Sequence, residues 1–188
     1  MFLFEKNPKI WYNMLTIGGI SVYFKREVPL NPEELRRLID LNKLDWQNKR
    51  DTNCYAYALG LDVNLPKAFE PGEIGNSKID LRNFDSFAYE QLLANIYVDL
   101  EALGIDYRDI EPLDDIEENE WKIAIFTTRK YGEVIDFHFM REHKDGIWYH
   151  KNGAKIYNQT FNLIPIKNPK YAYVLGYTYE KCLSLKLK

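Results

Sequence analysis

Cysteine and histidine are scarce in this sequence, with two and three residues among 188. Two thiols, Cys54 and Cys182, are too few for a disulfide scaffold. Long apolar runs are missing as well: no stretch reaches the roughly 18 residues that a membrane span requires. At the amino terminus, Glu5 and Lys6 bring charge before an apolar signal-peptide core can form. The expectation is a cytoplasmic chain with no membrane partner, leaderless export being the alternative route. A basic excess is lacking too. The net charge is −3 and the pI about 5.7, which argues against a nucleic-acid partner held by phosphate neutralisation. With 10 Gly and 8 Pro, collagen-like and disordered classes are excluded.

What remains is the ordinary mixture of a globular protein, 46% hydrophobic and 28% charged. A chain of this length buries roughly two-thirds of its unfolded surface and needs no covalent staples. We read residues 1–188 as a single domain. Aromatic residues are plentiful at 15%, including 14 Tyr and 4 Trp.

The first 30 residues lean towards strand, with Thr16–Phe24 the best segment and Gly18-Gly19 a bulge or turn within it. Asn31-Pro32-Glu33-Glu34 predicts a helix start, with Leu35, Leu38 and Ile39 as its apolar stripe. A second helix starts near Thr52 and stops at Gly60. Pro66, Pro71, Gly72 and Gly75 punctuate a long loop over 63–83. The longest helix follows, capped by Asp85 or Ser86 and ended by Gly104, with Leu92, Leu93, Ile96, Leu100 and Leu103 at the 3.6-residue period. Five carboxylates in the seven positions 114–120 read as a solvated loop rather than a cation site, because calcium-loop spacing is lacking. Strands are predicted over 121–128, 133–141, 147–151 and 171–179. Helices first and strands after give an α+β fold.

Two segments carry chemistry. In Thr52-Asn53-Cys54-Tyr55, Cys54 falls in the first turn of a helix. There the dipole and the unpaired N–H groups favour a thiolate and could stabilise an oxyanion. The competing reading is a small apolar core residue. In Ile135-Asp136-Phe137-His138-Phe139-Met140, alternation puts Asp136, His138 and Met140 on one face. A structural histidine is the alternative here. The turn His143-Lys144-Asp145-Gly146 returns the chain as an antiparallel strand carrying His150. A three-residue loop puts His138 and His150 on the same face; a two-residue Asp145-Gly146 turn puts them on opposite faces.

On a shared face the residues take roles: Cys54 as nucleophile, His138 as base, His150 as the group that orients the base. Asp136 is the alternative orienter. Gln47, Asn48 and Asn53 are the candidates for a neutral oxyanion donor. His143 reads as a solvated turn residue and Cys182 as structural.

The strings NCYAYALG (53–60), PGEIG (71–75), DFHFMRE (136–142) and GIWYHKNG (146–153) resemble a bacterial and phage branch of the papain-like cysteine hydrolases of the NlpC type. The resemblance spans a core of about residues 50–155, with an N-terminal strand and helix and a C-terminal strand as additions. It implies a catalytic helix packed on an antiparallel sheet and the triad Cys54, His138 and His150. Asn53 and Tyr55 stand where that family usually has an acidic and a small residue. The function expected is a cysteine hydrolase or acyl transferase, needing no cofactor, acting on a peptide, protein or other amide-containing substrate through an amide, isopeptide or thioester bond. Two rivals stand beside it. One is a non-catalytic binding or effector protein on the same scaffold, with the aromatic residues as its recognition surface. The other is a zinc ion held by Cys54, His138 and His150; the short paired spacing of zinc ligands is absent, so no metal is expected.

Overall fold

In a computed structural model, residues 11–17, 20–26, 31–41, 53–61, 70–79, 81, 85–151, 168–171 and 176–188 are described. The chain divides into two compact units, Met1–Leu30 and Asn31–Lys188.

In the first unit, β1 (Trp11–Ile17) and β2 (Ile20–Arg26) pair antiparallel, from Trp11 with Arg26 to Ile17 with Ile20. The single strand expected over Thr16–Phe24 is thus shared between two arms of a hairpin. Gly18-Gly19, expected as a bulge or turn, lies outside the described residues.

The second unit is α+β. Its sheet is wholly antiparallel, in the order β3-β7-β4-β5-β6: β3 (Ile105–Ile110), β4 (Glu120–Lys130), β5 (Glu133–Glu142), β6 (Trp148–Tyr149) and β7 (Thr178–Leu187). Strand β4 lies second from neither edge and is buried on both faces from Trp121 to Thr127, which explains its nearly unbroken apolar run. The predicted strand over 171–179 is displaced. Tyr171 closes a 3₁₀ turn begun at Pro169, and β7 starts only at Thr178, beyond Gly176 at φ 91°. Strand β3 was not expected. It is an edge strand with four exposed central residues, Asp106 to Asp109, so it carries no apolar alternation.

Helix α1 (Pro32–Arg36) is capped as expected by Asn31, whose Oδ1 accepts from the N–H groups of Glu33 at 3.0 Å and Glu34 at 3.4 Å. It ends before its predicted stripe is complete. Leu35 is buried, Leu38 is 42% exposed, and Ile39 forms a β-bridge with Leu61. Helix α3 (Tyr89–Ala102) starts later than Asp85 or Ser86 because Phe87 is bridged to Val134. That bridge keeps the chain extended through Ala88, the residue that occupies the cap position, where Gln91 Oε1 accepts the Ala88 N–H at 2.9 Å. Leu92, Ile96, Leu100 and Leu103 are buried and Leu93 is half-buried. Gly104, at φ 63°, ends the helix.

Helix α2 (Cys54–Ala58) covers one face of the sheet. The Tyr55 ring packs on Phe139 at 4.9 Å, Trp121 Nε1 donates to Ala58 O at 3.2 Å, and Arg141 Nη1 donates to Tyr57 O at 3.1 Å with its guanidinium over the Tyr57 ring. The other face carries a second apolar cluster of Ala124, Phe126, Met140, Trp148 and Cys182. Alternation along β5 sends odd-numbered residues to α2 and even-numbered ones to this cluster. Cys182 is accordingly a core residue.

Candidate active site

The β5–β6 connection decides where the histidines go. Arg141 pairs with Tyr149 and Glu142 with Trp148. The His143 N–H donates to Ile147 O, and Gly146 occupies the left-handed region at φ 74°. This is a three-residue loop over Lys144-Asp145-Gly146, the kind that wants glycine at its last position. His138 and His150 therefore share the even-numbered face. Their rings meet at His138 Nε2 and His150 Nδ1, 3.0 Å apart, with planes 78° from parallel.

His138 is 3% exposed. Burial, and then the neighbouring His150, push its pKa down to about 3, and burial also lowers that of His150. Both rings are neutral near pH 7. One nitrogen of the 3.0 Å contact must then donate and the other accept.

Asn53 caps α2, with its Oδ1 accepting the Ala56 N–H at 3.0 Å, and this places Cys54 at the first helical position. The sulfur lies at the backbone N–H groups of Phe139, next to His138 in β5, and of Tyr55. Among the described residues, the hydrogen bond of the His138 ring goes to His150 and not to the sulfur. The expected low-pKa thiolate is not what this setting produces. Cys54 is only 7% exposed, and burial pushes its thiol up to about 12 against the opposing pull of the two N–H groups. Carboxylates at Glu70 and Asp136 add to the rise.

Asp136 spends its carboxylate away from the imidazole. Oδ1 accepts from Phe137 N–H at 2.8 Å and Oδ2 from the Tyr177 hydroxyl at 2.6 Å. Tyr177 in turn lies over His138, with ring centroids 5.2 Å apart and planes 30° apart. Nothing in the local sequence around 177 signals this contact. Gln47 and Asn48 lie outside the described residues. His143 is half-buried rather than solvated, edge-on to Tyr149 and 3.6 Å from Asp145.

A buried polar network adjoins the cysteine. Asp99 of α3, fully buried, accepts from Tyr55 Oη at 3.0 Å and from the N–H groups of Gly72 and Gly75, each at 2.7 Å. Asn95, one turn earlier, donates to Pro71 O at 2.9 Å and Ile79 O at 2.8 Å, and accepts from Ser77 Oγ at 2.6 Å. Together they fix the 71–79 segment and the residue that follows Cys54. A polar pair at helical spacing within the apolar stripe of α3 was the available signal. Among the described residues, no group of three His, Cys, Asp or Glu side chains is arranged to hold a metal ion, and no helix is long and apolar enough to cross a membrane.

No family model, curated protein or solved structure matches this chain.

Proposed function

We propose that the protein is a cysteine-dependent hydrolase or acyl transferase of papain-like, NlpC-type fold, acting on an amide, isopeptide or thioester bond. Cys54 is the nucleophile, His138 the base and His150 the orienting residue. The observation that carries this reading is the 3.0 Å contact between the ring nitrogens of buried His138 and half-buried His150, with His138 on the strand whose next peptide N–H meets the Cys54 sulfur.

The chemistry follows from tautomers. If His138 holds its proton on Nε2 and donates it to His150 Nδ1, its own Nδ1 keeps a free lone pair and becomes the base. Thiol and imidazole rest as a neutral pair, because burial disfavours both charged forms. Attack on a carbonyl then passes the thiol proton to His138 Nδ1 as the S–C bond forms. The imidazolium gives that proton to the leaving amine or thiol as the acyl-enzyme forms. Water, or a second nucleophile, completes hydrolysis or transfer.

A second reading, a binding or effector protein on this scaffold, is favoured by the burial of the Cys54 sulfur. A peptide aldehyde probe separates the two. Hydrolase chemistry requires a hemithioacetal at Cys54 that is lost in Cys54→Ala and His138→Ala; a folded wild type that takes no probe supports the binding protein.

A further inference from the structure

The contact between Tyr177 and His138 has no part in the proton transfers above, yet it joins the base to a third element of the fold. We propose that Tyr177, latched by Asp136, is a positioning residue that holds the His138 ring in the plane needed for proton transfer; this rests on the Cys54-His138-His150 reading. The geometry is complementary. His150 meets the edge of the His138 ring at one nitrogen, and a hydrogen bond of that kind fixes the nitrogen but resists tilting weakly. Tyr177 lies against the face of the ring, with centroids 5.2 Å apart, and opposes the tilt.

The latch is rigid because of where it is anchored. Tyr177 Oη donates to Asp136 Oδ2 at 2.6 Å, and Asp136 Oδ1 accepts the N–H of Phe137 at 2.8 Å. Asp136 and His138 sit two residues apart on one face of β5. Cover and base are thus tied to the same strand and move together. Tyr177 also keeps water from a ring whose neighbour in the strand, Asp136, is exposed. The titratable groups around His138 are His150 beyond β6, Tyr177 before β7 and Asp136 on its own strand; Cys54 of α2 lies near enough to Tyr177 for a thiolate to raise the phenol's pKa.

The test uses p-nitrophenyl acetate, whose burst of nitrophenolate counts acyl groups transferred to Cys54, together with NMR titration of the His138 ring. Tyr177→Ala is expected to lower the burst rate about 10- to 100-fold, the scale of a misplaced catalytic group. It should also move the His138 midpoint upward towards an ordinary histidine. Tyr177→Phe keeps the ring and loses only the latch. It should cost less, match Asp136→Ala, and combine with it at no further loss, since both remove the Tyr177–Asp136 hydrogen bond. If Tyr177→Ala does not fold, Tyr177→Phe, Asp136→Ala and their double carry the test. Additive losses, or Tyr177 variants with the wild-type burst and midpoint, overturn the inference alone, provided that His138→Ala abolishes the burst. A wild type with no burst overturns the reading and the inference together.

Discussion

His138 and His150 stand 3.0 Å apart at their ring nitrogens and twelve residues apart in sequence, on one face of a hairpin closed by a three-residue loop. The pairing register makes the contact, and Gly146 makes the register. Replacing His138 by Ala should lower acyl transfer to Cys54 by about 10²- to 10⁴-fold, the usual worth of a general base. Replacing His150 by Ala removes only the tautomer control, so a measurable fraction of the rate should survive. His150→Asn, which can still accept the His138 proton, should recover part of it. Burst kinetics on the three variants check the order.

The two thiols provide a second prediction. Burial pushes Cys54 and Cys182 alike up to about 12. In the native state at pH 7 both should react slowly with iodoacetamide, at similar rates, and both should speed up as pH rises. A carbonyl probe should nevertheless select Cys54. Mass spectrometry after timed pulses of each reagent distinguishes the residues. Fast native alkylation of Cys54 at pH 7 would contradict the neutral resting pair.

How much of this was legible in the sequence varies with range. Cys54 in the first turn of a short helix ended by Gly60 was legible locally, although the helix starts two residues later than Thr52, with Asn53 as its cap. Alternation left two faces open for the histidine pair, and the three-residue loop ended by Gly146 decides between them. The state of the thiol was not legible, because it depends on how deeply α2 is seated against Phe139 and Arg141. Strand β3 was hidden because an edge strand solvated along most of its length has no reason to alternate. The late start of α3 came from a bridge between Phe87 and Val134, 47 positions apart, which no local cap residue announces. Tyr177 over His138 is of the same kind.

The 71–79 segment offers a third prediction, on stability. A Cβ at Gly75 would sit 2.4 Å from Val98 Cγ1 and 2.5 Å from Val98 O, contacts that backbone cannot relieve cheaply. Gly75→Ala should destabilise by about 1–3 kcal/mol, in the range of overpacked sites. Gly146→Ala meets nothing within 4 Å and carries only the strain of φ 74°, about 1–2 kcal/mol. Urea denaturation of the two variants gives the comparison. For Gly75→Ala alone, the hydrogen bond from Gly75 N–H to Asp99 should also lose amide-exchange protection.

The last prediction concerns pH and sets two buried groups against each other. Burial raises Asp99 from 3.8 to about 6, despite the donors from Gly75, Gly72 and Tyr55 that pull the other way. Its folded form therefore holds a proton that the unfolded chain releases near pH 4. The stability this contributes is complete below about pH 4 and is lost as pH rises through about 6. His138 runs the opposite way. Its folded pKa, about 3, lies below the ordinary 6.5, so the unfolded chain takes up a proton that the fold refuses. Its contribution is complete above 6.5 and is lost as pH falls towards 3. His150 is lowered too and adds to the histidine side. Between pH 4 and 6 the two histidines should outweigh the one carboxylate, so this cluster makes the wild type less stable on acidification. Asp99→Asn removes the opposing group, and its difference from wild type should tilt further towards acid instability. It also places an amide where the carboxylate accepts an N–H, so it should be less stable at every pH. His138→Gln should tilt the difference the other way, gaining relative stability as pH drops from 6.5. Melting temperatures of the three proteins from pH 4 to 7.5, plotted as differences from wild type, read both slopes. A flat difference for His138→Gln would mean that the imidazole titrates in the fold as it does in the unfolded chain, and the burial-lowered pKa assigned to it would have to be abandoned.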